Sequence, residues 1–402
     1  MLAPKLRFKE FNDEWDYKLF NEIFEFIKNN SFSRDMLNYD ENSKIYNIHY
    51  GDILTKYGEI IDFNIISNII PKINNDISLS KFEDKSYLKN GDIIIADTAE
   101  DLTVGKSCEV INLHCKALAG LHTIPCRPKF KFASQYLGEY INSTSYHSQL
   151  IPYITGIKVS SISKTSIIKT KIYFPTVKEQ EKISELFSLL NKKIELQQRK
   201  IEVLKMYKKG LTKKLLDYSN YKKVKLKDIC TFYSGGTPDS KNKNFYTGNI
   251  PFIRSGEIHN ETTELYITSE AIKNSSAKMV YKGSVLYALY GATSGDVSIS
   301  KINGAINQAI LCINGNNSIN NCFLAIYLAF YRNIIINTYL QGGQGNLSAD
   351  IIKNLIINLP SAEEQTEIVQ YINSIDKKLY TENEKLKNLN FLKKYLLQQM
   401  FI

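Results

Sequence analysis

The sequence predicts an α+β fold in which two tandem α/β domains alternate with two long α-helices, which pack as an antiparallel coiled coil and give the chain an internal pseudo-twofold symmetry. Three observations lead to this fold class. Residues 174–195 read FPTVKEQEKISELFSLLNKKIE, and residues 359–380 repeat that pattern as LPSAEEQTEIVQYINSIDKKLY at an offset of 185 residues. Both copies carry a coiled-coil spacing of apolar residues. The segments before them also match each other at several landmarks.

The repeat divides the 402 residues into four parts. We predict a first α/β domain over residues 1–173, a central long helix over 174–217, a second α/β domain over 218–358 and a C-terminal long helix over 359–402. A chain of this length holds about two to three domains of ordinary size. Its hydrophobic fraction of 43% and charged fraction of 23% are typical of a globular protein with a large core.

Each long helix opens with proline followed by acidic residues, which suits a first helical turn because that turn leaves its amide hydrogens unpaired. Apolar residues then recur at alternating steps of four and three, the spacing of a coiled-coil seam. The two apolar stripes are buried most simply against each other. The predicted seam residues are Ile183, Phe187, Leu190, Ile194, Ile201, Leu204, Leu211, Leu215, Ile368, Ile372, Ile375, Leu379, Leu386, Leu389, Leu396 and Met400.

Two lysines that interrupt the seam predict its direction. A parallel pair in register would place Lys208 against Lys393, so that two like charges would meet. An antiparallel pair would place Lys208 near Ile375 and Lys393 near Phe187 or Leu190, where each amine can extend outward to water. We therefore predict antiparallel helices.

The two α/β domains are expected to share one scaffold. YLKNGDIII at residues 87–95 resembles VYKGSVLYA at 280–288, and each is a glycine turn before a short apolar strand. QYLGEYIN at 135–142 resembles CFLAIYLA at 322–329, and each is an apolar helical run. The polar loop, short helix and strand that lead into each long helix also correspond. Because the segments between these landmarks differ, the sequence predicts one scaffold that carries two different binding surfaces.

The charge balance favours a polyanionic partner. The net charge is +10 and the isoelectric point is near 9.0. Residues 174–216 hold much of the excess, with 11 Lys and Arg against 5 Asp and Glu.

We expect a cytoplasmic protein without a metal site. The chain opens with charges throughout, and its longest apolar runs, such as residues 323–331, fall far short of the roughly 20 residues that cross a bilayer. The six cysteines are scattered, which favours reduced thiols over a disulfide framework. The cysteines and histidines between residues 108 and 126 lack the paired spacing of structural zinc sites.

Two polar segments are the candidate surfaces for a nucleic acid. Residues 46–58 and 233–260 mix Lys or Arg, Asn, Ser or Thr, and Tyr, which donate to phosphates and base edges or stack on bases. Such a composition is also common in surface loops. The candidate DNA-contacting residues are Lys44, Tyr46, His49, Tyr50, Lys56, Tyr57, Lys158, Ser160, Gly235, Gly236, Thr237, Lys241, Lys243, Tyr246, Arg254, Ser255, Gln341 and Gln344.

These features together resemble the specificity (S) subunit of a type I restriction-modification enzyme. The resemblance rests on two dissimilar domains, a Pro-x-x-x-Glu-Gln start to each long helix (Glu179-Gln180 and Glu364-Gln365) and a Gly-Gly-Thr-Pro opening at residues 235–238. It covers nearly the whole chain. It implies that each α/β domain is a target-recognition domain for one half of a split DNA sequence and that the paired helices set the spacer. The first domain lacks the Gly-Gly-Thr-Pro opening.

The resemblance also implies the partners of the chain. Two methylation (M) subunits would dock on the long helices and carry S-adenosylmethionine, so no cofactor is expected in this chain. Restriction (R) subunits would join them to cut unmodified DNA, and the chain itself would be non-catalytic. Two alternatives stay open, which are the recognition subunit of a system with a fused nuclease and methylase, and a coiled-coil adapter whose globular ends bind proteins.

The residues themselves form no complete catalytic motif. GKS at residues 105–107 lacks the earlier glycine of a phosphate-binding loop, because that position is Glu100. NIPF at residues 249–252 has Ile250 where an adenine methyltransferase motif needs proline. The five histidines form no evident acid-base or nucleophile constellation with the serines and acids around them.

Overall fold

The computed structural model describes residues 2–156, 158–217, 221–340 and 346–402. The chain divides into two compact units: unit 1 comprises Met1–Gln198 with Glu384–Ile402, and unit 2 comprises Arg199–Asn383. Each long helix therefore contributes one end to each unit. The domain boundaries expected at residues 173, 217 and 358 stay a prediction. Within the described ranges, no helix combines the length and the apolar character that a membrane crossing needs.

Unit 1 carries the first α/β scaffold. Its strands are β1 (Asp16–Leu19), β2 (Phe24–Phe26), β3 (Leu37–Asn38), β4 (Ile45–Ile48), β5 (Ile60–Asp62), β6 (Lys72–Ile73), β7 (Ile93–Ala96), β8 (Thr98–Ala99), β9 (Ser107–Ile111), β10 (Lys116–Ala119), β11 (Thr123–Pro128), β12 (Ser160–Ser161) and β13 (Lys171–Phe174). Its helices are α1 (Phe20–Ile23), α2 (Tyr50–Thr55), α3 (Phe63–Ile66), α4 (Tyr136–Ile141), α5 (Thr144–Leu150), α6 (Lys164–Ile167) and the first part of α7 (Val177–Leu216).

Unit 2 carries the second scaffold. Its strands are β14 (Lys222–Lys225), β15 (Cys230–Ser234), β16 (Ile250–Ile253), β17 (Leu265–Ile267), β18 (Lys278–Val280), β19 (Val285–Ala288), β20 (Val297–Ile299), β21 (Gly304–Ile306), β22 (Ile310–Gly315) and β23 (Ile356–Leu359). Its helices are α8 (Leu226–Ile229), α9 (Ser269–Lys273), α10 (Asn321–Phe330), α11 (Arg332–Tyr339), α12 (Ala349–Lys353) and the first part of α13 (Ala362–Gln399). The end of α7 also belongs to unit 2, and the end of α13 belongs to unit 1.

A four-stranded antiparallel sheet is common to both units. Its strand order is β2-β11-β7-β9 in unit 1, where β5 adds a parallel edge, and β15-β22-β19-β20 in unit 2. The registers agree, since Ile93 of β7 lies opposite Glu109 just as Val285 of β19 lies opposite Ile299. The internal repeat expected from the sequence therefore extends to the pairing of individual residues.

The central strand of each sheet follows the glycine turn that the landmarks predict. Gly91 and Gly283 have φ angles of 87° and 95°, a region in which other residues are strained. The strands that follow, β7 and β19, are buried along their whole length, which explains their uninterrupted apolar sequences. The two apolar helical runs form α4 and α10, which pack on these sheets.

A second sheet in each unit contains one parallel pair. β4 pairs with β10 in unit 1, and β16 pairs with β21 in unit 2. The flanking strands differ: unit 1 places β6 and β3 beyond β4, whereas unit 2 places β17 beside β16 and β18 beside β21. The two units therefore share a central framework and differ at its margins.

The Glu-Gln motifs attach the start of each long helix to its own unit. Gln180 accepts a hydrogen bond from the amide of Ala133 at 3.0 Å and donates to the carbonyl of the proline before α7 at 2.9 Å. Gln365 forms the corresponding bonds, with the amide of Asn320 at 2.7 Å and with the proline before α13 at 3.0 Å. Both glutamines are buried, so their replacement by apolar residues would leave buried backbone groups unpaired.

The two long helices run antiparallel, which confirms the predicted direction. In unit 1 the start of α7 packs against the end of α13, where the rings of Phe187 and Phe401 stack at 5.8 Å. In unit 2 the end of α7 packs against the start of α13, where Leu216 shares a core with Ile368 and Ile372. The core of each unit therefore includes residues from one end of the helix pair.

The predicted seam residues are all buried or half-buried. Lys208 pairs with Asp376, the residue next to Ile375, as the antiparallel arrangement predicts. The expectation that Lys393 extends to water is wrong. Its ammonium lies 2.5 Å from a carboxylate oxygen of Glu59, and its side chain is 14% exposed. The physical reason is a carboxylate from the α/β scaffold, which offers the amine a charged partner where the helix seam alone offers none.

The first residues of the chain cover the start of α7 in unit 1. The guanidinium of Arg7 donates two hydrogen bonds to the carboxylate of Glu179, at 2.7 and 2.8 Å, and the indole of Trp15 lies 3.4 Å from the same group. Glu179 is buried, and Arg7 supplies the counter-charge of its carboxylate. The equivalent Glu364 in unit 2 instead accepts from the amide of Ser361 at 2.8 Å and caps its own helix.

Candidate nucleic-acid interface

The two polar segments that we expect to bind nucleic acid follow equivalent strands. β4 ends at Ile48 and β16 ends at Ile253, each beside its parallel partner strand. The sequences that follow are HYGDI at residues 49–53 and RSGEI at residues 254–258. In both, the acid and the isoleucine are buried, while the middle residues lie nearer the surface. The framework therefore places both segments, which we call the rims, at the same position in their units.

Asp52 anchors the rim of unit 1. It is buried, accepts two hydrogen bonds from Arg34 at 2.7 and 3.0 Å, and lies 2.9 Å from the ammonium of Lys56. Burial opposes ionisation, but the hydrogen bonds from Arg34 and then Lys56 outweigh it and lower the pKa of Asp52. The side chains of Arg34 and Lys56 remain 49% and 44% exposed. One buried carboxylate thus holds two cations at the surface, where they can meet phosphates.

Aromatic rings lie beside this charged group. The ring centroids of His49 and Tyr50 are 4.7 Å apart, and those of Tyr50 and His122 are 5.2 Å apart. The hydroxyl of Thr98 lies 3.4 Å from His122 Nδ1. Burial, and then the charge of Arg34, lower the pKa of His49 and favour its neutral form. Rings and hydroxyls in this arrangement can stack on bases and donate to their edges.

The rim of unit 2 has a different chemistry at the same position. Arg254, the counterpart of His49, donates to Glu257 at 3.1 and 3.3 Å and also pairs with Glu264. The hydrogen bonds to Glu257 and then to Glu264 raise the pKa of Arg254. Nearby, His259 Nε2 lies 3.0 Å from Asp296. Two carboxylates therefore balance the single cation here, in contrast to the two cations on one carboxylate in unit 1.

Gly235 and Gly236 have a structural explanation. A Cβ atom on Gly235 would lie 1.8 Å from the carbonyl oxygen of Ile306, and one on Gly236 would lie 2.5 Å from a serine side chain. The next residue, Thr237, donates from its hydroxyl to Gln308 at 2.7 Å. Gly235 lets the backbone pass close to β21 and Gly236 lets it pass close to Ser276, so no DNA contact is needed to account for them.

The other candidates differ in their exposure. The exposed ones are Lys44, Lys56, Lys158, Thr237, Lys241 and Lys243. The half-buried ones are Tyr46, Tyr50, Ser160, Gly235, Tyr246, Arg254 and Ser255. The buried ones are His49, Tyr57 and Gly236. Tyr57 packs in the core, while Gln341 and Gln344 lie outside the described residues.

A family of known proteins matches both halves of the repeat. The sequence profile described as the type I restriction modification DNA specificity domain matches residues 12–206 and again residues 218–390. The chain belongs to this family. The specificity-domain family thus accounts for a duplicated scaffold in one chain.

Specificity subunits resemble this chain over its length. The MjaX type I restriction enzyme specificity subunit of Methanocaldococcus jannaschii is 24% identical, over 92% of this chain and 89% of that one. The type I restriction-modification S subunit from M. genitalium superposes with a TM-score of 0.57 and 14% identity, over 100% and 99% of the two chains. A chain from a structure on complex assembly and conformational transition of the type I R-M system has a TM-score of 0.65 and 16% identity, over 96% and 97%. These structural likenesses support the fold.

The sequence did not reveal several residues that this specificity-domain scaffold brings to the rim of unit 1. Arg34 reaches Asp52 across 18 positions, and His122 reaches Tyr50 from the turn between β10 and β11. No local pattern marks such contacts. The two rims share a glycine, an acid and an isoleucine in succession, at residues 51–53 and 256–258. This shared pattern could have been used to align the two rims from the sequence. In the part of the chain that the structure describes, no group of His, Cys, Asp or Glu is arranged to hold a metal ion.

Proposed function

We propose that this chain is the DNA-recognition subunit of a type I restriction-modification complex and that each unit reads one half of a bipartite target. The observation that carries this proposal is the pair of rims, residues 49–53 and 254–258, which occupy one scaffold position with different chemistry. Two surface cations and adjacent aromatic rings lie at the first rim, whereas a cation balanced by two carboxylates forms the second. Two unlike readers on one framework suit two half-sites of different sequence.

The long helices are proposed to set the spacer between the half-sites. α7 and α13 are uninterrupted over 40 and 38 residues, and each is tied at its start to its own unit by a buried glutamine. A helix rises about 1.5 Å per residue, so one added turn lengthens it by about 5 Å. We expect that insertion of one turn into both helices widens the gap between the bases that are methylated while the bases read stay the same.

Exposed apolar residues on the long helices support the docking of two methylation subunits. Met206 and Tyr207 on α7 are 74% and 58% exposed, and Phe391 and Leu392 on α13 are 72% and 44% exposed. The second pair follows the first by 185 positions, the offset of the repeat. Large exposed apolar residues on a helix surface are typical of interfaces. A patch that occurs twice suits two copies of one partner.

The chain is proposed to supply sequence choice without catalysis of its own. S-adenosylmethionine would bind to the methylation subunits, and cleavage would belong to the restriction subunits, in the cytoplasm. Membership of the specificity-domain family supports this division of labour. The two exposed cations and the aromatic rings at the rim of unit 1 also suit binding to DNA more than to an apolar protein surface.

Methylation mapping tests the two-reader function. The chain is expressed with its methylation subunits, and methylated adenines are mapped for the wild type and for a chimera that takes residues 17–173 from another family member. We expect a split motif in which the chimera changes one half only. A matched chimera of residues 218–358 should change the other half. A motif that changes in both halves with either chimera would refute the proposal.

A further inference from the structure

The two long helices carry equivalent lysines whose partners differ. Lys208 on α7 and Lys393 on α13 are separated by the repeat offset of 185 positions. At the same offset, Asp376 on α13 corresponds to Asn191 on α7. The ion pair between Lys208 and Asp376 in unit 2 therefore has no direct equivalent in unit 1, because an amide replaces the carboxylate.

In unit 1 the α/β scaffold supplies the missing carboxylates. The ammonium of Lys393 lies 2.5 Å from one oxygen of Glu59 and 3.8 Å from Oε2 of Glu139. Asn191 donates from its side-chain amide to Oε1 of Glu139 at 2.7 Å. Glu139 is 1% exposed. These four residues form one network, which joins both long helices to the scaffold of unit 1.

The corresponding position in unit 2 is apolar. Tyr140 of α4 and Tyr327 of α10 each accept a hydrogen bond from a backbone amide in the strand before the long helix, at 3.0 and 3.4 Å, and this contact aligns the two helices. Glu139 then corresponds to Ile326, which packs against the core of unit 2. The carboxylate partner of the seam lysine therefore lies on the other long helix in unit 2 and on the α/β scaffold in unit 1.

Glu59 connects this network to the rim of unit 1. It lies between α2, which begins with the rim residue Tyr50, and strand β5. The ammonium of Lys106 donates to the carbonyls of Leu54 and Tyr57 at 3.2 and 3.0 Å, which holds the end of α2 and the residues after it. Because the segment of residues 54–58 is short and is fixed by the hydrogen bonds from Lys106, a change in the position of Glu59 would also shift the rim.

We propose that Lys393 is a positioning residue that fixes the scaffold of unit 1 on the long helices and thereby determines how the first half-site is read. This inference rests on the proposed function, because it assumes that unit 1 reads a half-site. Lys393 would act without touching DNA. Lys208 would have no such role, since its partner lies on the other long helix. Loss of the Lys393 cation would leave two largely buried carboxylates without their counter-charge.

Lys393→Met and Lys208→Met are the matched pair of variants. Each is assembled with the methylation subunits, and methylation rates are measured on duplexes with a mismatch in one half-site or the other. With Lys393→Met we expect a loss of discrimination at the first half-site of roughly two- to thirtyfold, the range found for residues in coupling networks, and none at the second. Lys208→Met should change neither. Equal losses at both half-sites, or no loss, would overturn the proposal.

A second variant separates positioning from folding. Asn191→Asp with Glu59→Gln and Glu139→Gln returns the carboxylate to the long helix, as in unit 2. We expect α7 and α13 to keep their hydrogen-exchange protection in the full chain, while α4 and residues 55–60 exchange faster and first-half discrimination falls. Unchanged exchange in α4 would overturn the proposal. A wild-type complex without half-site discrimination would refute the proposed function, whereas a discriminating wild type with unaffected variants would refute only the role of Lys393.

Discussion

Units 1 and 2 have the same framework but bury different groups in it. The shared register aligns buried ionisable residues of unit 1 with uncharged residues of unit 2, so that Asp92, Glu109 and Glu139 correspond to Ser284, Ile299 and Ile326. In unit 1 Asp92 pairs with Arg127 at 2.7 Å and Glu139 lies 3.8 Å from the ammonium of Lys393, whereas Glu109 accepts hydrogen bonds from backbone amides alone. This framework therefore accepts either a hydrogen-bonded acid or an uncharged residue at the same buried position without a change in its strand pairing.

The two ends of the helix pair also occupy equivalent positions with different neighbouring residues. Phe401 and Leu216 are equivalent at the repeat offset, and both are buried at the base of their unit. The ring of Phe401 lies within 6.4 Å of four other aromatic rings, whereas Leu216 belongs to a core cluster made mostly of aliphatic residues. Substitutions at equivalent positions should therefore act on one unit at a time and with different strengths.

The largest effect is expected for Phe401→Ala. The ring lies 5.8 Å from Phe187, 5.9 Å from Tyr136 and 5.6 Å from Tyr140, so its removal leaves a large cavity. We expect unit 1 to lose about 3–5 kcal/mol of unfolding free energy. Hydrogen exchange resolved by peptide measures this loss in each unit. The matched control Leu216→Ala should lower protection in unit 2, and an equal loss in both units from either variant would contradict the division.

A somewhat smaller effect is expected for Arg7→Ala. The substitution leaves the buried carboxylate of Glu179 without its cation, which typically costs about 3 kcal/mol. Trp15, the single tryptophan of the chain, lies next to Glu179, so its fluorescence reports unfolding of unit 1 in urea. Glu364→Ala in unit 2 removes a helix cap and should cost about 1 kcal/mol without moving the tryptophan transition. If Arg7→Ala and Glu364→Ala shifted the tryptophan transition equally, the predicted difference between Glu179 and Glu364 would be wrong.

The smallest effect is a pH dependence confined to unit 1. Burial raises the pKa of Glu109 to about 7, although backbone amides of Gly138 and Gln135 donate to it at 2.9 and 2.6 Å. The folded state holds the proton of Glu109 more tightly than the unfolded chain does. The protonated group therefore stabilises the folded state fully below about pH 4, and this stabilisation is lost as pH rises through about 7. We expect the titration of Glu109 to lower the unfolding free energy of unit 1 by roughly 2–3 kcal/mol between pH 5 and 8.

Glu109→Gln tests this pH dependence because it keeps the shape of the side chain and removes its titration. Tryptophan-detected urea unfolding at several pH values should show a shallower slope for the variant than for the wild type. Unit 2 has Ile299 at the equivalent position, so its hydrogen exchange serves as the internal reference. An identical slope in variant and wild type would exclude Glu109 as the source.

Much of the architecture was predictable from the repeat. The long helices were expected over residues 174–217 and 359–402 and extend over Val177–Leu216 and Ala362–Gln399. Their direction was also predictable, because like charges at Lys208 and Lys393 disfavour the parallel pair. The sequence placed the candidate DNA contacts in the two segments that contain the rims, and that role stays a prediction. Arg34 and His122, which contact the rim of unit 1, come from other parts of the chain and were not predicted.

The sequence by itself determined the duplication, the long helices and the apolar faces, because periodic patterns report local geometry directly. The tertiary structure alone decided which charges meet. Lys393 finds Glu59 across 334 positions, and Arg7 finds Glu179 across 172. A pair of this kind depends on which remote segments the fold brings within a few ångströms, and no spacing along the chain encodes that distance.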